Sequence, residues 1–133
     1  MKKLFTCFLF VFLIASCSVQ TTPIDDQGDK DLTGKWKLIR SSGGIAGTTT
    51  EYGAGDDVII IEFTSNKFLK SRNGEKIQEG SYKIEQGNSI RTTEEVPLII
   101  YNSELKQSFE FSDGRLILFD ECYDCFQNEY VKL

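Results

Sequence analysis

Histidine is absent from this chain of 133 residues. With it go the commonest metal ligand and the side chain best suited to exchange protons near neutral pH. No Gly-x-Ser-x-Gly elbow and no glycine-rich phosphate loop occurs, so two further routes to group transfer are missing. Lysine and arginine number 15 against 20 aspartates and glutamates, and no dense basic patch interleaves with aromatics, which argues against nucleic acid as a partner. The net charge of −5 also disfavours electrostatic adhesion to anionic lipid. Carboxylate pairs such as Glu94 with Glu95, Glu62 with Glu110, or Asp120 with Glu121 are unavoidable among so many acids and do not by themselves indicate general acid–base work. Asp25, Asp26, Asp29 and Asp31 lack the regular spacing of a calcium loop. No enzyme activity, cofactor or metal is therefore expected. Also missing is any apolar run of about 20 residues, the length a spanning helix needs.

What is present begins at the N-terminus, "MKKLFTCFLFVFLIASCSVQTTP". Lys2 and Lys3 precede a stretch from Leu4 to Ala15 that is apolar except for Thr6, which has the proportions of a signal-peptide core. The run ends in "IASC", which resembles the bacterial lipobox. That resemblance implies cleavage after residue 16 and attachment of palmitate-type acyl chains to Cys17. More than one acyl chain holds a protein durably, because each buried methylene contributes about 0.8 kcal/mol. Removing residues 1–16 takes away two lysines and no acid, so the net charge becomes −7. Residues 17–31 are polar and read as a flexible tether. The resemblance to lipoproteins with serine after the lipidated cysteine implies the bacterial cell envelope, in particular the outer membrane.

Residues 32–133 remain as one domain. Apolar residues fall in short runs separated by turn dipeptides, the pattern of many short strands. "GKWKLIR" alternates, with Trp36 and Leu38 on one face. Val58 to Phe63 reads as a strand, followed by a turn and a second strand around Phe68. Asn73-Gly74 is a two-residue hairpin signal, since both positions tolerate positive φ. A further alternating stretch carries Ile77, Tyr82, Ile84 and Ile90, with a turn expected at Gly87-Asn88. "VPLIIY", "QSFEFSDGRLILF" with a turn at Asp113-Gly114, and "FQNEYVKL" complete about eight strands. Pro97 requires a strand start or edge, because it cannot donate to a ladder. Residues 42–57, rich in glycine, read as a long loop over one end, with room for a short helix or strand, that could act as a lid.

A meander of eight strands leaves two unpaired edges, which closure removes. The expected fold is all-β: an antiparallel up-and-down β-barrel of about eight strands. "LTGKWKLI" resembles the Gly-x-Trp opening of lipocalins and of bacterial lipocalin-like lipoprotein domains. Further likeness lies in "IEFTSNKFL", "GSYKIEQGNSI" and the terminal "EYVKL". The resemblance implies that Trp36 closes the barrel floor and that the domain is a binding module. Eight strands can pack their interior or enclose one small ligand. Trp36, Phe63, Phe68, Tyr82, Phe109, Phe111 and Tyr130 are the aromatics expected to do one or the other. In so small a barrel a filled interior is at least as natural as a cavity. Two functions follow: a binder of a small apolar or amphipathic ligand, or an envelope protein that meets a protein partner.

Near the C-terminus stands "ECYDC". Its spacing fits a redox dithiol, half a metal site or a structural staple. A reactive thiol wants a nearby cation or helix N-terminus, whereas Asp120, Glu121 and Asp124 surround this pair. A zinc site needs four ligands, and neither histidine nor a second cysteine pair exists. An exported chain meets an oxidising compartment, and a turn brings residues i and i+3 within disulfide reach. A Cys122–Cys125 disulfide is the expected state.

Overall fold

In this computed structural model, residues 31–102 and 104–133 are described. The expected signal peptide, the expected lipid attachment at Cys17 and the expected tether up to residue 30 lie outside the described residues. Among the described residues nine strands occur: β1 (Gly34–Gly43), β2 (Thr48–Glu51), β3 (Ile59–Phe63), β4 (Lys67–Arg72), β5 (Glu75–Asn88), β6 (Glu95–Tyr101), β7 (Leu105–Ser112), β8 (Arg115–Asp120) and β9 (Phe126–Lys132). From β3 to β9 consecutive strands pair antiparallel, β1 pairs with β2 and β3, and β1 also pairs with β9, from Trp36 opposite Lys132 to Gly43 opposite Phe126. That contact closes an eight-position barrel of the general lipocalin-like kind. The short β2 is the ninth strand and continues the β3 edge of β1: β3 pairs with Gly34 to Lys37, and β2 with Arg40 to Gly43.

Turn chemistry sets the hairpins. Asn73 and Gly74 have φ of 51° and 83°, and Asp113 and Gly114 have φ of 50° and 72°, the positive pairs that a two-residue turn requires. Pro97 pairs with Gln86 on the β5 side, at a point where pairing with β7 has not begun. Gly43, at φ 143°, lies against the last connection: a Cβ there would overlap the Cys125 carbonyl oxygen and stand 2.9 Å from Phe126 Cα.

Two local expectations are corrected. Residues 42–57 are not one long loop, because β1 runs to Gly43 and returns as β2 through a tight turn. The backbone ladder of residues 40–43 with 48–51 outweighs the low strand propensity of the glycines, and the β-branched Thr48, Thr49 and Thr50 favour the strand. The turn expected at Gly87-Asn88 is absent. Both residues stay in β5, paired with Val96 and Glu95, and the connection is 89–94.

The outer face also carries buried residues that alternation alone conceals, and that connection covers one of them, Phe119. Leu98, Ile100 and Phe119 are buried, yet they lie on the opposite face from the interior residues Ile99, Tyr101 and Leu118. Arg91 sits 3.0 Å from the Phe119 ring centroid and donates to Ser108 Oγ at 3.4 Å. Glu121 accepts from Ser89 Oγ at 2.9 Å and from Ile90 N at 2.8 Å, which ties the connection to the end of β8.

Candidate functional site

The barrel interior has two tiers. Strand alternation points Trp36, Phe63, Tyr82, Phe109 and Phe111 inward at the end where β1 begins, and these aromatics pack on one another. Trp36 is buried, donates Nε1–H to the Leu32 carbonyl at 2.8 Å and lies 5.8 Å from the Phe111 ring. Phe63 and Tyr82 meet edge to face at 5.1 Å, and the Tyr82 hydroxyl donates to Thr64 O at 2.5 Å. Phe109 and Phe111 are partly buried against the same cluster. This half of the interior is filled, so these five residues form core.

The other half opens. A cavity of about 530 Å³ lies above Phe68, Ile61, Leu118 and Tyr130, within the usual size of a small-molecule pocket. Of the seven aromatics expected to line a ligand or fill the core, Phe68 and Tyr130 face this space. Tyr101 lines it as well and packs edge to face on Phe68 at 4.8 Å.

The polar residues of the cavity come from the same alternation, one step further along each strand. Lys70 follows Phe68, Asp120 follows Leu118, and Gln107 precedes Phe109. The Tyr101 hydroxyl donates to Gln107 Oε1 at 2.8 Å, and Gln107 Nε2 donates to Asp120 Oδ1 at 2.6 Å. Phe126 N donates to Asp120 Oδ2 at 3.3 Å. This chain links β6, β7, β8 and the start of β9 around the mouth. Burial holds Lys70 below its ordinary pKa, only partly offset by the Asp120 charge, and Arg72 lowers it further. Burial likewise raises the Tyr101 and Tyr130 hydroxyls, so both stay protonated. Lys70, Gln78, Gln107 and Asp120 escape a reading that looks for aromatics, although their inward parity is legible beside Phe68, Tyr82, Phe109 and Leu118.

Cys122 borders the mouth and is joined to Cys125 in a disulfide with Cα atoms 5.6 Å apart. The Cys125 carbonyl accepts from Gly44 N at 3.3 Å, which fastens the loop to the β1–β2 turn. Closing so small a loop contributes roughly 2 kcal/mol. Intact mass of protein made in an oxidising compartment is expected to be two protons below the reduced value. Reduction is expected to lower the melting temperature while leaving a folded barrel. Free labelling of both thiols without reductant would contradict this.

Among the described residues no group of three or more His, Cys, Asp or Glu is placed to hold a metal ion. None of their elements is a helix long and apolar enough to cross a membrane. The arrangement can enclose an apolar body and meet a polar group at the mouth. Comparison with protein-family models, curated protein sequences and solved structures finds no match to this chain.

Proposed function

We propose that this chain is a non-catalytic binding module that holds a small apolar or amphipathic ligand in the barrel mouth. The observation that carries the reading is the cavity of about 530 Å³, apolar below and polar at its rim. In this reading residues 1–16 are removed, Cys17 carries the lipid, residues 17–31 are the tether, and the barrel stands at the outer membrane of a bacterial envelope. The support for the anchor is the "IASC" sequence after its apolar run. A second reading, an envelope protein that docks on a protein partner, draws on Ile45 and Tyr123, which are 92% and 86% exposed in the connections flanking β1 and β9.

The test uses the full chain carrying Cys17→Ser, extracted for co-purifying small molecules and titrated with an environment-sensitive apolar probe. Saturable uptake with displacement by an extracted compound is expected. No extract and no uptake would transfer support to the docking reading. The unsubstituted chain is expected to fractionate with membranes, and Cys17→Ser to release or misprocess it; an acyl-free chain retained in the cytoplasm would contradict the anchor.

A further inference from the structure

Exposed apolar side chains gather at one place on the outer wall. The connections 44–47, 89–94 and 121–125 meet around a groove of about 350 Å³, whose lining includes Ile90, Arg91, Phe119, Phe126 and the Cys122–Cys125 bridge. The groove lies outside the barrel, because Phe119 and its partner Gln127 point away from the face that holds Leu118. Ile45 and Tyr123, the two most exposed large apolar side chains among the described residues, stand at its border. Tyr123 lies between Cys122 and Asp124, which both line the groove, and Ile45 follows Gly44, whose amide donates to Cys125 O at 3.3 Å. The disulfide and that hydrogen bond fix the backbone around Tyr123. An aromatic held out of the core on a fixed loop offers contact area at low cost in conformational entropy. Apolar tips around a groove with polar edges have the makeup of a docking surface.

Charge selects the occupant. Arg91 is engaged by the Phe119 ring and Ser108, and both Asp120 oxygens receive N–H donors, from Gln107 and Phe126. Asp124, the remaining charged group of the lining, makes no hydrogen bond or ion pair among the described residues. The connections 44–47, 89–94 and 121–125 carry Arg91 against Glu94, Glu121 and Asp124, within a chain of net charge −5. A second copy would bring the same acids to the same contact, and like charges set face to face are costly. A bilayer would have to take in the Asp124 carboxylate beside Tyr123, which burial penalises. A protein segment with a lysine or arginine next to an apolar side chain suits both features. Ser42 and Gln127 complete the lining with uncharged groups that donate or accept.

We propose that this groove docks a short basic segment of a protein partner. The segment lays an apolar side chain on Ile90 and Phe126 and sets a lysine or arginine on Asp124, with Ile45 and Tyr123 as flanking anchors. The proposal rests on the docking reading above and names the chemistry of the partner, and it leaves the barrel cavity open to a ligand of its own.

The experiment is fluorescence anisotropy of the full chain carrying Cys17→Ser with three labelled dodecapeptides that share a Leu-Phe centre and are flanked by lysine, serine or glutamate. The lysine peptide is expected to bind roughly tenfold more tightly than the serine peptide, and the glutamate peptide most weakly. Added salt is expected to narrow the gap. Asp124→Asn is expected to remove most of the preference for lysine; asparagine tolerates the φ of 56° found there. Tyr123→Ser is expected to weaken the lysine peptide roughly tenfold, as loss of an aromatic anchor does, without changing uptake of an apolar probe by the cavity. Ile77→Ser, which removes an exposed apolar residue of β5 outside the groove, is expected to change neither. Melting curves confirm that each variant is folded. Equal binding of the lysine and glutamate peptides that Tyr123→Ser abolishes would overturn the basic partner while leaving the docking reading standing. Binding of none of the peptides, or binding indifferent to Tyr123→Ser, would overturn the proposal and remove this groove from the docking reading. Self-association, or binding to zwitterionic lipid vesicles, that is lost in Tyr123→Ser would overturn it in favour of a second copy or a lipid surface.

Discussion

Trp36→Ala is expected to destabilise the barrel by about 3–5 kcal/mol, the usual loss for truncating a large buried aromatic. A domain of this size has about 5–15 kcal/mol in total, so the variant should unfold at much lower urea. Trp36 is 1% exposed, and the cluster around it includes Leu32, Phe111 and Phe63 from three separate parts of the chain. The packed floor offers little room for neighbours to collapse into the space left behind. Trp36→Phe is expected to cost less, since it keeps a ring but leaves the Leu32 carbonyl without the Nε1–H donor at 2.8 Å. As Trp36 is the one tryptophan of the chain, its emission reads the floor directly. A native spectrum of solvent-exposed tryptophan, or an alanine variant as stable as the parent, would contradict the packing described.

Glu129→Gln is expected to lower the melting temperature at pH 7 by roughly 5–10 °C and to flatten its acid dependence. Glu129 is 3% exposed on β9, on the outward face of the barrel wall. Its Oε1 receives Arg40 Nε at 2.8 Å and Arg40 Nη2, and its Oε2 receives Arg115 Nη1 at 3.1 Å. Arg40 on β1 and Arg115 on β8 thereby clamp the two strands that flank β9, one of which forms the closing pair. Burial by itself would raise the Glu129 pKa. The hydrogen bonds and charges of Arg40 and Arg115 together outweigh burial and hold it below the ordinary 4.5. A carboxyl depressed in the folded state contributes stability that is complete above its unfolded value and is lost as pH falls through the folded one. Thermal melts of the parent should therefore be level above about pH 5 and decline below 4.5. Glu121 is depressed as well, through hydrogen bonds from Ser108, Ile90 and Ser89 that outweigh its own burial, so some acid slope should survive in the variant. Identical acid profiles for parent and Glu129→Gln would show that the clamp carries no linkage.

The amino-acid sequence by itself determined most of the strand ladder and the hairpins at Asn73-Gly74 and Asp113-Gly114, but not the β1–β2 hairpin or the end of β5. Period-two alternation and positive-φ dipeptides are local signals, so Trp36, Phe63 and Tyr82 could be assigned inward, and Asn73-Gly74 and Asp113-Gly114 to turns, without knowledge of any partner strand. The Cys122–Cys125 bridge was legible for the same reason, since a turn alone sets its reach. Tertiary structure decided everything that depends on two distant segments meeting. Lys70 and Asp120 line one cavity because β4 and β8 lie on the wall of a closed barrel, and closure depends on β1 pairing with β9 across almost the whole domain. Whether an inward residue joins the filled floor or the open mouth depends on its height along the barrel, which alternation does not encode. Phe119 gained cover on the outer face when Arg91 of the 89–94 connection folded over its ring. Side-chain parity is a property of one strand, whereas height, closure and outer cover are properties of the pairing register between strands.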